Sequence, residues 1–180
     1  LNQSENIEIN EIIQKTKLSR MTINRAMREL IQLGVVYTNG KNTRKEYKRL
    51  EKEKYWSIGK EHLKSPVKKA IWINQEKIDE AYAGDSALEH LTMMNAVEYK
   101  VYAIDKRNID KYISYEISEQ SGNGCKVEIW NYDPRLFVDE NNNVDIISLY
   151  SSFMNFDDER VHIELEELME EYLNDRIREV

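Results

Sequence analysis

The feature that most constrains this chain is a helix signal of defined length near its beginning. Ser19 is a favourable N-cap, because its hydroxyl accepts a hydrogen bond from a free backbone N–H of the first turn. Gly34 suits the left-handed position that follows a helix. Between them, apolar residues recur at helical spacing, namely Ile23, Ala26, Met27 and Leu30. The sequence therefore predicts a helix that begins at Ser19 and stops at Gly34, with one apolar face.

The segments on either side of this helix predict a short preceding helix and a following β-hairpin, all within Ile9–Leu50. Val35–Tyr37 is rich in β-forming residues, Asn39-Gly40 favours a hairpin, and Glu46-Tyr47 starts the returning strand. The order helix, turn, helix and two-stranded wing is that of a winged helix-turn-helix DNA-binding domain.

The face of the second helix that turns away from its apolar residues carries groups suited to DNA. At about 100° per residue, this face holds Met21, Asn24, Arg25 and Arg28, with Thr22 at its flank and Arg20 in the first turn. Arginine pairs with guanine, asparagine with adenine, and threonine with a phosphate or a thymine methyl group. We expect base contacts from Arg20, Met21, Asn24 and Arg25 and a phosphate contact from Arg28, with Ser19 and Thr22 completing the set.

The predicted wing adds a second basic surface. Its loop consists of Lys41, Asn42, Thr43, Arg44 and Lys45. Such a loop reaches phosphates or the minor groove by Coulomb attraction, and the alternative is a solvated hairpin with ordinary surface lysines. The segment LSRMTINRAMRELIQLGVV resembles the winged-helix region of bacterial MarR-like transcriptional regulators, and the resemblance covers about the first quarter of the chain.

The charge of the chain is divided unevenly along its 180 residues. The net charge of −7 argues against a general nucleic-acid binder. Residues 1–60 carry 13 Lys and Arg against 7 Asp and Glu, whereas residues 61–180 carry 13 against 26. This asymmetry predicts a basic DNA reader joined to an acidic body that limits non-specific DNA binding.

The length of 180 residues allows one large domain or two small ones, and the composition predicts a cytoplasmic protein. The hydrophobic fraction of 41% allows a packed core, and no apolar run approaches the ~20 residues that cross a membrane. No secretory signal is visible, and Cys125 alone excludes an internal disulfide, so we expect a reducing compartment and a buried structural thiol. We predict a DNA-binding domain at 1–52, a connector at 53–64 and an acidic domain at 65–180. Residues 1–7 are too short for the first helix of a winged-helix core, so we expect an upstream helix.

The acidic domain is predicted as α+β, with a sheet of four or five strands and helices to one side. The strands are predicted at Val67–Ile73, Val97–Ile104, Tyr112–Ile117, Cys125–Trp130 and Pro134–Val138. The helices are predicted at Glu76–Tyr82, Ala87–Asn95, Asp145–Met154 and Asp157–Arg178, with Gly84–Ser86 as a turn and cap before the second.

An enzymatic function is not predicted. The three histidines lack metal-ligand spacing, and no nucleophile elbow or phosphate-binding loop is present. Nucleotidyltransferases use a Gly-Ser turn, a helix and a strand with two carboxylates two residues apart to hold Mg²⁺. Here Gly84-Asp85-Ser86 and Asp105 fit that order, but Arg107 occupies the second carboxylate position, so we expect neither a metal nor a cofactor.

A second resemblance concerns residues 65–175. The segments AGDSALEHLTMM, YKVYAID, KVEIWNYDP and DDERVHIELEELMEEYL are similar to the C-terminal part of winged-helix regulators of bacterial abortive-infection toxin–antitoxin systems. This resemblance implies an antitoxin that represses its own operon and neutralises a nucleotidyltransferase-like toxin.

The expected partners are double-stranded operator DNA, a second copy of the chain, and such a toxin. In the last predicted helix, Val161, Leu165, Leu168 and Tyr172 form a short heptad-like stripe. That stripe is read either as packing on the sheet or as a dimerisation seam. A third reading of the acidic domain is a small-molecule sensor.

Overall fold

The computed structural model describes residues 6–39, 46–95, 98–118 and 124–174. The chain divides into two compact units, residues 1–63 and residues 64–180, called here the N-terminal and C-terminal units. Both units combine helices with an antiparallel or mixed sheet, so the chain belongs to the α+β class.

The described residues of the N-terminal unit form three short strands, three α-helices and a 3₁₀ helix at Lys60–His62. In chain order the strands and α-helices are β1 (Asn6–Ile7), α1 (Ile9–Thr16), α2 (Arg20–Gln32), β2 (Val36–Asn39), β3 (Glu46–Arg49) and α3 (Lys52–Gly59). The strand order is β1-β3-β2, with both pairs antiparallel. The predicted hairpin strands are confirmed, and the residues before α1 contribute a strand that pairs with β3.

Helix α2 begins and ends where its capping residues predict. Ser19 Oγ accepts a hydrogen bond from the backbone N–H of Thr22 at 3.1 Å, so one otherwise free donor of the first turn is satisfied. Gly34 has a φ of +75°, a left-handed conformation that costs glycine little. The N–H groups of Gly34 and Val35 bond to carbonyls of the last turn, on Ile31 and Leu30 respectively.

The core of the N-terminal unit is a small apolar cluster. Its buried members are Ile23, Met27, Val35 and Val36, with partly buried residues around them that include Tyr55 of α3. The segment predicted as a connector, 53–64, therefore contains a helix that packs a tyrosine onto this cluster. The prediction that Ala26 belongs to the buried face is wrong, because this side chain is exposed.

The described part of the C-terminal unit forms five strands and three α-helices. They are β4 (Val67–Ile73), β5 (Ala81–Tyr82), α4 (Gly84–Leu91), β6 (Val101–Asp105), β7 (Glu116–Ile117), β8 (Cys125–Trp130), α5 (Ile146–Ser152) and α6 (Glu159–Leu173). Three 3₁₀ helices lie at Lys106–Lys111, Ile113–Tyr115 and Pro134–Phe137. The strand order is β5-β6-β8-β4-β7, in which only the β6–β8 pair is parallel.

Both faces of this sheet are covered. Ala103 and Trp130 pack on one face with side chains from all three α-helices, among them Leu88, Leu149 and Leu165. On the opposite face, alternate residues of β4, β6 and β8 pack under Ile78, Ile109 and Tyr112 of the connecting segments. The prediction of four or five strands with helices to one side agrees with the five strands and the shared face of the three α-helices, but β5 stands in place of the strand predicted at Pro134–Val138. Cys125 is fully buried as expected.

Three element predictions in this unit are wrong. Glu76–Tyr82 is not a helix, because Tyr82 exchanges backbone hydrogen bonds with Asn142 and Val144 in an extended segment. Tyr112–Ile117 is strand only at its last two residues, and Ile113–Tyr115 forms a 3₁₀ helix. Pro134–Val138 is also a 3₁₀ helix, since Asp133 caps its first turn through the backbone N–H of Arg135.

Several other bounds differ from those predicted. Helix α4 begins at Gly84 and ends at Leu91, so Gly84–Ser86 forms its first turn instead of a turn before it. Strand β6 begins only at Val101. Helix α5 begins after its N-cap Asp145 and ends at Ser152, and helix α6 begins after its N-cap Asp158 and extends to Leu173. The end predicted for the last helix, Arg178, lies outside the described residues.

Candidate nucleic-acid interface

Helix α2 presents two chemically distinct faces. Ile23 and Met27 are buried, whereas the side chains of α2 and its N-cap that were predicted to contact DNA are exposed. These are Ser19, Arg20, Met21, Thr22, Asn24, Arg25 and Arg28. The exposed face carries three arginines, and the helix has a single acidic residue, Glu29. A helix with these groups can present both hydrogen-bonding and cationic side chains to a polyanion.

Several side chains on the exposed face of α2 have hydrogen-bond partners within the unit. Arg20 Nη2 donates to Asn10 Oδ1 at 2.5 Å, which ties α2 to α1. The hydroxyls of Ser19 and Thr22 lie 2.9 Å apart and hydrogen bond to each other. Arg28 Nε donates to the backbone oxygen of Asn24 at 3.3 Å, so the guanidinium is directed along the helix.

A groove of about 850 Å³ separates α2 from the β-hairpin. Its lining residues are Arg20, Met21, Asn24, Met27, Arg28, Ile31, Thr38 and Tyr47. Thr38 and Tyr47 are directly paired across β2 and β3 and form the hairpin wall. The groove therefore has an apolar floor and a cationic rim on the helix side.

A second groove of about 530 Å³ lies beside the first. It is bordered by β1, the start of α1, Glu46 and Lys48. Arg20, Asn24 and Tyr47 line both grooves, so Asn24 projects where the two meet.

Sequence reasoning missed the residues that the hairpin contributes to this surface. Thr38, Tyr47 and Lys48 border the grooves but were not among the predicted contacts. Alternation along β2 and β3 is the signal that identifies Thr38 and Tyr47, once the pairing register is known. The predicted loop residues Lys41, Asn42, Thr43, Arg44 and Lys45 lie outside the described residues.

Asp105, the carboxylate that fits the position of a metal ligand in the sequence, is held in local contacts. Asp105 accepts hydrogen bonds from the backbone N–H and from the guanidinium of Arg107, with Nη2 at 2.5 Å. These contacts hold the pKa of Asp105 below its ordinary value. Ser86 Oγ accepts the backbone N–H of Val101 at 2.9 Å, so Ser86 fixes α4 to β6.

Glu128 is a second buried carboxylate of this unit. Its side chain is 7% exposed, and its Oε2 accepts the indole N–H of Trp130 at 3.0 Å. Burial raises the pKa of Glu128, because the ionised form loses its hydration. Its other oxygen, Oε1, lies 3.0 Å from the position that a Cβ on Gly84 would occupy, so any larger residue there would meet the carboxylate.

Two of the three histidines make specific hydrogen bonds. His90 Nδ1 lies 2.7 Å from Asn143 Oδ1, and Asn143 in turn donates to Asp139 at 2.8 Å. His162 Nε2 lies 2.6 Å from the carbonyl oxygen of Phe156. Within the described ranges, no group of three His, Cys, Asp or Glu side chains is placed to hold a metal ion.

Helix α6 has a buried apolar stripe and an acidic outer face. Val161, Leu165 and Leu168 pack into the cluster on the helical face of the sheet, and Tyr172 is half-buried. The stripe therefore serves packing within the unit. The outer face exposes four glutamates together with Ile163, namely Glu166, Glu167, Glu170 and Glu171.

Among the described residues, no helix combines the length and the apolar character needed to span a membrane. No protein-family model, no curated protein and no solved structure gives a significant match to the chain.

Proposed function

We propose that the chain is a sequence-specific DNA-binding transcriptional regulator, acting as a repressor, and that its N-terminal unit is a winged helix-turn-helix domain. The observation that carries this proposal is the exposed face of α2, which carries Met21, Asn24, Arg25 and Arg28. Of these, Met21, Asn24 and Arg28 line a groove that is bounded by a β-hairpin. The order α1, turn, α2 and hairpin matches the layout of that domain class.

In this proposal α2 enters the major groove with its N-terminal end directed at the bases. Met21, Asn24 and Arg25 then face base edges, while Arg28 at the rim of the groove neutralises a phosphate. The loop residues Lys41–Lys45 reach the neighbouring backbone or minor groove. A homodimer would place two such helices on a palindromic operator.

The acidic C-terminal unit supports selectivity in the same proposal. Its excess of negative charge repels the DNA polyanion, so binding requires the favourable contacts of the N-terminal unit. Non-specific association through scattered lysines is thereby reduced.

The test compares wild-type protein with an Arg25→Glu, Arg28→Glu double variant in a selection of genomic fragments at about 150 mM salt. Wild type is expected to enrich one palindromic site, and the variant is expected to lose at least roughly 100-fold in affinity for it, because two cations in the interface become anions.

The matched control reverses two charges in the C-terminal unit, with Lys77→Glu and Lys111→Glu. Both lysines are exposed, so the control has the same net charge as the double variant. Retained operator binding by the control assigns the loss to the α2 surface. Equal loss by both proteins, or no enrichment by wild type, would refute the proposal.

The second candidate is an antitoxin-type interaction protein that binds a nucleotidyltransferase-like toxin and represses their operon. The acidic outer face of α6, with Glu167, Glu170 and Glu171 beside exposed Ile163, favours a basic protein partner. A basic protein encoded beside this chain should co-purify with it when both are expressed. Glu167→Lys, Glu170→Lys should abolish that association and leave DNA binding intact.

A further inference from the structure

The exposed face of α2 carries one long apolar side chain among its polar groups. Met21 is 71% exposed, at the second residue of the helix, and lies outside the apolar cluster of the unit. Its unbranched thioether is flexible and apolar, so it suits contact with another apolar group and makes a poor partner for a phosphate.

Asn24 lies one helical turn beyond Met21 on neighbouring surface. Side chains three residues apart on a helix have Cβ atoms about 5–6 Å apart. The hydrogen bond at Asn24 uses its backbone oxygen, and its side-chain amide makes none to another described residue. The amide can therefore offer a donor and an acceptor together, which is the pattern that adenine N7 and N6 require.

The other polar groups at the start of α2 have local partners. Arg20 is tied to Asn10 of α1, and Ser19 and Thr22 bond to each other. Arg20 is therefore a positioning residue that sets α2 against α1, and the hydroxyls fix the first turn. Met21 and Asn24 remain as adjacent, unengaged groups at the edge of the groove.

We infer that Met21 and Asn24 together read two adjacent A·T base pairs, Asn24 through the adenine edge and Met21 through the thymine 5-methyl group. This inference rests on the proposed function. Three residues of helix rise about 4.5 Å, which is close to the roughly 3.4 Å between successive bases. The thymine methyl is the apolar group that the major groove offers.

The first experiment selects binding sites for the full chain from a random duplex library. The wild-type site is expected to contain adjacent A·T pairs. Asn24→Ala is expected to lose the preference for adenine at one of them, while wild type discriminates against guanine there by roughly 5- to 100-fold.

The second experiment replaces thymine by deoxyuridine in the selected duplex, which removes only the 5-methyl group. Wild type is expected to lose about fourfold in affinity at one position, the ratio for one buried methyl group. Met21→Ala should bind both duplexes equally, and Met21→Leu should keep the difference. Because Met21 is exposed, the thermal melting of all three proteins should agree.

The outcomes separate this inference from the proposed function. Enrichment of a site without adjacent A·T pairs, or deoxyuridine sensitivity that persists in Met21→Ala, overturns the inference and leaves the regulator proposal standing. Failure of wild type to enrich any site overturns both.

Discussion

The two units of this chain have interiors of different size and polarity. Among the described residues, the N-terminal cluster has four buried apolar members, whereas the C-terminal sheet has twelve on one face and eight on the other. The buried carboxylates Glu80, Asp105 and Glu128 all belong to the C-terminal unit. Among the described residues, the buried charged side chain of the N-terminal unit is a cation, Arg49. The comparison teaches that the C-terminal unit builds several carboxylates into its interior, while the polar groups of α2 stay at a surface where a ligand can reach them.

The largest expected effect is on the larger core. Leu165→Ala should lower the free energy of unfolding by about 3 kcal/mol, because Leu165 is fully buried between α6 and the sheet and its truncation leaves a cavity. Urea unfolding followed by tryptophan fluorescence measures this loss. Ile163→Ala on the same helix is the control, since Ile163 is 52% exposed and should change stability by less than about 0.5 kcal/mol.

A smaller effect is expected in the N-terminal core. Ile23→Ala should cost about 2 kcal/mol, at the lower end for such a truncation, because half-buried neighbours such as Ile12 and Leu30 can close around the space. Helical circular dichroism during urea unfolding reports the change. A loss equal to that of Leu165→Ala would contradict the contrast between the two cores.

Helix capping allows equivalent hydrogen bonds in the two units to be compared, because each unit has a helix whose N-cap side chain accepts a backbone N–H. Ser19→Ala removes the cap of α2, and Asp145→Ala removes the cap of α5. Each should cost about 1 kcal/mol, since one backbone N–H loses its partner. Ser57→Ala is a control, because the hydroxyl of exposed Ser57 bonds only to a carbonyl within α3. Equal stability of all three variants and wild type in thermal melting would show that these caps contribute nothing.

The smallest expected effect is a change in how the stability of the C-terminal unit depends on pH. Burial raises the pKa of Glu128 above its ordinary value of 4.5, so the folded state binds a proton more tightly than the unfolded chain. Its contribution to stability is therefore present at acid pH and is lost as the pH rises through the folded pKa. Glu128→Gln stays neutral and should lose less stability than wild type between pH 4.5 and pH 7.

Urea midpoints at several pH values measure this slope for both proteins. The contribution of Asp105 has the opposite sign, because its pKa is lowered, but it is common to wild type and variant. Identical slopes would mean that Glu128 titrates alike in the folded and unfolded chains.

The sequence predicted the elements whose signals are local. The caps and the apolar spacing of α2 lie within sixteen residues, and β4 and β8 are short segments that each contain Val, Ile and Trp. The prediction of a helix at Glu76–Tyr82 was wrong because Tyr82 pairs with residues near Asn142. That partner lies about sixty positions away, and no local pattern reveals it. The strand predicted at Pro134–Val138 is a 3₁₀ helix instead, because a segment that contains Leu136, Phe137 and Val138 suits a short strand as well.

The candidate site was predictable to a similar extent. Helical periodicity alone indicated that Met21, Asn24, Arg25 and Arg28 share an exposed face. The hairpin wall, Thr38 and Tyr47, depends on the pairing register, which single-strand patterns leave open. The hydrogen bond between Arg20 and Asn10 depends on how α1 packs against α2. The sequence alone therefore did not indicate that the Arg20 side chain already has a partner within the unit.

The strand order of the C-terminal sheet has a consequence for how the chain is made. Strand β4 ends at Ile73, but its central partner β8 is complete only at Trp130. The elements of the N-terminal unit all lie within the first 63 residues. At bacterial or eukaryotic rates of synthesis, β4 leaves the ribosome on the order of several seconds before β8. During that interval the N-terminal unit can complete its folding before the acidic C-terminal unit is fully made. The positive charge of the N-terminal unit is therefore offset less in a nascent chain than in a complete one.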